Sequence, residues 1–286
     1  MTVRVEEDGP VTTIINDRPE ARNAVDPETG DALVEAFLEF DNDPDASVAV
    51  FWGAGGAFCA GWDLKYVSSL KPGEDPLKDL YFPTDGGTTP RGPLGPSRLD
   101  LSKPVIGAIN GAAVGVGITM TLPMDIRLVA ANSKIGFVFT QRGLTPEACS
   151  SWFLPRVVGI QKAMEWVISG DIFMAEEGVA AGLFHSAHDK GEVVDVARCI
   201  ARKLIAKSSP VAAALAKQML WRNPNFAHPM QAHAVESKMI YWSNEFWDGR
   251  DGFTSFLEKR EPRFETAMAD IPQQFDFWHE PEISEQ

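Results

Sequence analysis

Basic residues are scarce against acidic ones. Over 286 residues, 26 Lys plus Arg face 40 Asp plus Glu, a formal net charge of −14. A surface this acidic repels a phosphate backbone, and no Lys/Arg run builds a locally basic face, so general nucleic-acid binding is excluded. Cysteine is also sparse. Cys59, Cys149 and Cys199 are odd in number and widely spaced, giving neither a disulfide framework nor a CxxC pair. The opening residues Met1 to Asp8 are acidic and carry no apolar segment of a secretion signal, so a reducing, cytoplasmic setting is expected. There is no GxSxG elbow, Walker A loop, HExxH or EF-hand loop. Of five histidines, His185 and His188 stand near Asp189 without further ligands close in sequence, so they read as surface histidines and no metal is expected.

What is present is a globular composition, 44% hydrophobic and 23% charged, enough for one sizeable core with a smaller appendage. Pro104 to Met124 carries no charge and has the length of a membrane span, but Gly107, Asn110, Gly111, Gly115, Gly117 and Pro123 punctuate it into buried strand, loop and helix. No membrane association is expected.

Along the chain, Val3–Glu6 and Val11–Asn16 read as strands joined by the turn Asp8-Gly9-Pro10. Asp26-Pro27-Glu28 starts a helix carrying Leu33, Phe37 and Phe40 at helical spacing. The apolar run 48–52 ends in a glycine loop, Gly53–Gly61, and the pattern repeats at Val105–Ile109 with the loop Asn110–Gly117 and the strand Ile126–Ala130. Between them, 71–98 is a turn-rich loop whose length suits a pocket cover. Helices are expected over 161–169, 175–181, 192–207, 210–221, 232–244 and 253–260. The alternation implies an α/β fold, with a core over 1–205, a helical region over 206–264 and an extended tail over 265–286.

Glycine-rich loops between strands and helices let backbone amides approach an anion or oxyanion. A dinucleotide fingerprint is not met, because Met120 stands where Gly115-Val116-Gly117 would need its third glycine. The segments Ala57-Phe58-Cys59-Ala60-Gly61-Trp62-Asp63-Leu64-Lys65 and Lys103-Pro104-Val105-Ile106-Gly107-Ala108-Ile109-Asn110-Gly111-Ala112-Ala113-Val114-Gly115-Val116-Gly117 closely resemble the crotonase superfamily, the enoyl-CoA hydratase/isomerase family. Asn16–Ala24 and Phe256–Arg260 agree, so the resemblance spans residues 3 to about 264.

The resemblance implies a spiral core of ββα turns, a helical C-terminal region driving assembly into a homotrimer or a dimer of trimers, and an acyl-CoA thioester as substrate. Coenzyme A enters as part of that substrate, with no separate cofactor. By motif position the oxyanion-holding amides fall on Trp62 and Val116, the latter standing where the family commonly has glycine. Arg22, Ala24, Ala60, Asp63, Leu64 and Lys65 would line the CoA groove, and Phe256 and Lys259 would close it from a neighbouring subunit.

The two glutamates of typical hydratases are replaced by Thr119 and Phe139, neither of which can act as a carboxylate acid or base. Leu144–Ser151 instead resembles the catalytic segment of Δ3,Δ2-enoyl-CoA isomerases, placing Glu147 on their single glutamate. Thr145, Pro146 and Glu147 also form a good helix start by themselves, as N-cap, first residue and first-turn acid. The local pattern favours the structural role, and the resemblance together with the two absent glutamates turns the balance to catalysis. Alternatives on the same scaffold are a hydratase using Glu147 and water, a thioester or diketone hydrolase, or a non-catalytic acyl-CoA-binding subunit.

Overall fold

The computed structural model describes residues 2–71, 101–267 and 270. The turn-rich segment expected to cover a pocket and most of the tail lie outside the described residues. Two compact units divide the chain, Met1–Arg202 and Lys203–Gln286.

In the first unit, β1 (Val3–Asp8) and β2 (Val11–Asn16) form the expected antiparallel pair. α1 (Pro27–Asn42) starts as its residues dictate: Asp26 caps it by accepting from the Thr29 amide at 2.9 Å, with Pro27 in the first turn. Its apolar face Leu33, Ala36, Phe37 and Phe40 is buried. β3 (Val48–Gly53), α2 (Leu64–Ser69), β4 (Val105–Ile109), β5 (Ala113–Val114), α3 (Val116–Thr119) and β6 (Ile126–Ala130) follow. The uncharged stretch 104–124 thus folds as strand, short strand and helical turn. Among the described residues no helix is long and apolar enough to cross a membrane.

Next come β7 (Lys134–Gly136), α4 (Ser150–Val158), α5 (Ile160–Ser169), β8 (Ile172–Met174), α6 (Ala175–Ala180), β9 (Ser186–His188) and α7 (Val193–Ile205). The main sheet runs β1-β2-β3-β4-β6-β9, parallel after the first pair, and β5-β7-β8 form a second sheet. β2 and β4 are buried along their whole length, which explains the continuous apolar sequence of β4, while β2 buries Thr12, Thr13 and Asn16 among its apolar residues. Edge-to-face contacts join Phe37 to Phe51 and Phe51 to Phe58, with centroids 5.5 and 5.4 Å apart. They couple α1, β3 and the first glycine loop through one core.

The second unit holds α8 (Pro210–Arg222), α9 (Pro229–Glu245) and α10 (Trp247–Glu258) around Val211, Leu215, Met239 and Trp242. α10 begins before the expected 253, because Gly249 and Gly252 mask its helical pattern. Asp248 accepts from Ser209 Oγ at 2.6 Å and from the amides of Glu265 and Thr266, fixing the chain that follows the helix.

Candidate active site

Side-chain amides hold the first glycine loop. Asn110, just after β4, clasps Gly53 by accepting from its N–H at 3.2 Å and donating to its carbonyl at 2.7 Å. Buried Asn23 donates to the carbonyls of Ala54 and Ala57 at 2.7 and 2.8 Å. Arg18 reaches the Ala24 carbonyl at 2.7 Å, Asp26 at 3.0 Å and Asp63 at 3.1 Å. The 22–25 and 60–63 segments are consequently tied side by side, with Ala60 N–H on the Arg22 carbonyl, Val25 N–H on the Gly61 carbonyl and Asp63 N–H on the Val25 carbonyl.

The second loop is laced onto the first. Phe58 and Cys59 amides donate to the Ala112 carbonyl at 3.1 and 3.0 Å, and Val114 N–H donates to the Cys59 carbonyl at 3.1 Å. Gly117 lies so close that a Cβ there would meet the Cys59 carbonyl oxygen at 2.3 Å, so only glycine fits. The left-handed conformation of this loop falls on Gly115, with φ of 57°, and Val116 opens α3 with ordinary helical geometry. The side chain at 116 is accommodated for that reason. Val116 N–H, first in its helix, has no intrahelical acceptor. Trp62 faces Val25 in a parallel bridge whose bonds run through its neighbours Gly61 and Asp63. Among the described residues neither Trp62 N–H nor Val116 N–H finds an acceptor in the chain.

The segment around Glu147 departs from the expected helix start. Residues 144–147 are irregular, Ala148 and Cys149 both take left-handed backbone, with φ of 52° and 55°, and α4 begins only at Ser150 with Cys149 as its N-cap. Thr145 is therefore not an N-cap. Consecutive non-glycine residues in this region cost about 1–2 kcal/mol each, and such strain gathers at functional sites. Glu147 Oε1 accepts a 2.5 Å hydrogen bond from the Thr119 hydroxyl on α3. Burial pushes the Glu147 carboxyl up to about 7, against the opposing pull of the Thr119 hydrogen bond. Cys59 and Cys149 both feel its charge; burial raises both thiols, that of Cys59 to about 12, and keeps them neutral.

The other expected groove residues divide. Arg22, Ala60, Leu64 and Lys65 are exposed along the rim that the 22–25 and 60–63 segments form, and Ala24 is buried beside it. The Asp63 carboxylate is committed to structure: it caps α2 through the amides of Lys65 and Tyr66 and pairs with Arg18. Burial alone would raise it, but those amides and Arg18 prevail and hold it below the usual carboxylate range. Phe256 and Lys259 belong to the second unit, where Phe256 is 82% exposed and Lys259 ends α10 in left-handed backbone. Phe139 is buried at the head of a short 3-10 turn. Trp152 lies under the Arg156 guanidinium, 3.8 Å from the ring centroid.

Sequence reasoning missed Thr119 as a partner of Glu147, and missed Arg18 and Asn23 as the clamps of the first loop. The residues 16–24 carried a motif signal for the last two. Thr119 and Glu147 lie 28 positions apart, and no local pattern joins them.

A family profile described as enoyl-CoA hydratase/isomerase matches residues 6–267. The chain belongs to this family. An enoyl-CoA hydratase of Alternaria alternata is 35% identical over 266 residues, covering 91% of this chain and 86% of that protein. An (E)-benzylidenesuccinyl-CoA hydratase of Thauera aromatica is 31% identical over 270 residues, covering 93% and 100%. The crystal structure of an enoyl-CoA hydratase from Mycobacterium tuberculosis superposes with a TM-score of 0.81 at 28% identity, covering 92% of this chain and 98% of that one. The parallel sheet with its interlaced glycine loops is thus a crotonase fold, and the enzyme belongs to an acyl-CoA-processing family.

Proposed function

We propose that this member of the enoyl-CoA hydratase/isomerase family shifts the double bond of a 3-enoyl-CoA by single-carboxylate proton shuttling. The observation that carries the reading is the state of Glu147: a desolvated carboxyl at about 7, held on a strained turn, with no other carboxylate coupled to it among the described residues. Glu147 takes a proton from C2, the charge spreads through a dienolate onto the thioester oxygen, and the same carboxyl returns the proton at C4. The amides of Trp62 and Val116, preorganised by the laced loops, would hold that oxygen and favour the enolate over the neutral carbonyl. A carboxyl titrating near neutrality can both accept and return a proton, which one that stays ionised does poorly.

Arg22 and Lys65 would carry the CoA phosphates, with the chain assembled as a trimer or dimer of trimers in which a neighbouring subunit's copies of Phe256 and Lys259 close the groove. Thr119 and Phe139 at the usual hydratase positions speak against two-carboxylate hydration. The hydratase names of the relatives favour a second reading, in which Glu147 adds or removes water.

Glu147→Gln separates catalysis from binding: isomerisation of a 3-enoyl-CoA should fall about a thousandfold or more with acyl-CoA affinity within about threefold of wild type. Unchanged turnover in this variant would sink the proposal. Parallel incubations with 2-enoyl, 3-enoyl and saturated acyl-CoA, resolved by mass, distinguish isobaric rearrangement from gain of water and from release of free CoA.

A further inference from the structure

We infer that Thr119 is a positioning residue that pins one carboxylate oxygen of Glu147 and leaves the other as the proton carrier; this rests on the reading of Glu147 as the base. Thr119 is fully buried, and its hydroxyl donates to Glu147 Oε1 at 2.5 Å. A threonine in a helical turn has two favoured χ1 positions, and in the one adopted here the hydroxyl reaches Glu147.

The backbone of α3 is fixed, because Gly117 sits against the Cys59 carbonyl and the Thr119 amide donates to the Gly115 carbonyl at 3.1 Å. One four-residue turn therefore carries the Val116 amide at its first position and the Glu147 anchor at its last. The separation between oxyanion donor and base is thereby set by a single rigid element. From the opposite side, the left-handed pair Ala148 and Cys149 fixes the backbone that delivers Glu147. With Oε1 engaged, Oε2 is the oxygen left to exchange a proton with C2 and C4.

The hydroxyl also favours the ionised carboxylate and so offsets part of the rise caused by burial. Among the described residues, the titratable groups acting with Glu147 are the Cys59 thiol from the first loop and the Cys149 thiol ahead of α4, both kept neutral by burial.

The test compares wild type, Thr119→Val, which keeps the shape and removes the donor, and Thr119→Ser, which keeps the donor. Two quantities are read on the full chain: the pH profile of 3-enoyl-CoA isomerisation, and the midpoint of the Glu147 carboxyl band by infrared titration, assigned by its loss in Glu147→Gln. Thr119→Val should move the midpoint up by about one pH unit and lower kcat at least about tenfold, with KM within about threefold. Thr119→Ser should return both midpoint and kcat close to wild type. An unmoved midpoint in Thr119→Val, or a Thr119→Ser enzyme as impaired as the valine variant, overturns the inference. A protein that catalyses no isomerisation but still shows the shift would refute the isomerase reading alone, leaving the anchor intact. Absence of both effects would remove both.

Discussion

At the scale of the residue, the proposed chemistry gathers on one carboxyl whose burial has a cost. The folded chain holds Glu147 at about 7 against an ordinary value of 4.5. Between those two values the native state keeps a proton that the unfolded chain gives up, so stability falls as pH rises through this window. Below it the group contributes no difference, and above about 7 the penalty is complete. Glu147→Gln removes the penalty and retains an acceptor for Thr119. The variant should therefore melt a few degrees above wild type at about pH 8 and show no such gain at about pH 4, as differential scanning calorimetry would show. A variant that loses activity while gaining stability at high pH is expected of a catalytic acid buried for function rather than for the fold.

At the scale of the element, two devices place this residue: the laced glycine loops and the left-handed turn before α4. Gly117→Ala drives a methyl group into the Cys59 carbonyl oxygen at 2.3 Å, a contact that only backbone movement relieves. It should cost about 2 kcal/mol or more in denaturant unfolding and remove turnover with it. Ala148→Gly acts in the opposite sense. Relief of the left-handed backbone outweighs the flexibility added to the unfolded chain, giving up to about 1 kcal/mol of stability, while kcat falls several-fold as the Glu147 carrier loosens. Strands β1, β2, β3, β4 and β6 were legible in the sequence, because short runs such as 48–52 and 105–109 are apolar, buried and end at glycine or asparagine, whereas β5, β7, β8 and β9 are two or three residues long and carry no such run. The turn at Glu147 was not. Thr145-Pro146-Glu147 carries the same signals whether the chain enters a helix at once or first spends two residues in left-handed backbone, and neither Ala148 nor Cys149 announces that conformation. The motif grouped Arg22, Ala60 and Lys65, which lie on one rim, whereas the pairing of Asp63 with Arg18 is a contact across 45 positions.

At the scale of the whole molecule, a chain of net charge −14 belongs to a family acting on thioesters of a polyphosphorylated carrier. On the proposed reading local cations offset the global field, and exposed Lys65 and, from a neighbouring subunit, Lys259 are the ones the motif supplies. Lys65→Ala with Lys259→Ala should weaken acyl-CoA binding about tenfold in dilute buffer, and by less in about 0.5 M salt, as calorimetric titration would resolve. The reaction tests the account most directly when run as a single experiment: conversion of a 3-enoyl-CoA in D2O by wild type and Glu147→Gln, with products resolved by mass and deuterium position. The account predicts a conjugated 2-enoyl-CoA from wild type, with less than one full deuterium at C4 because one carboxyl carries the same proton across, and formation of product about a thousandfold slower or more in the variant. A product heavier by one D2O, or a Glu147→Gln enzyme that isomerises at the wild-type rate, would contradict it.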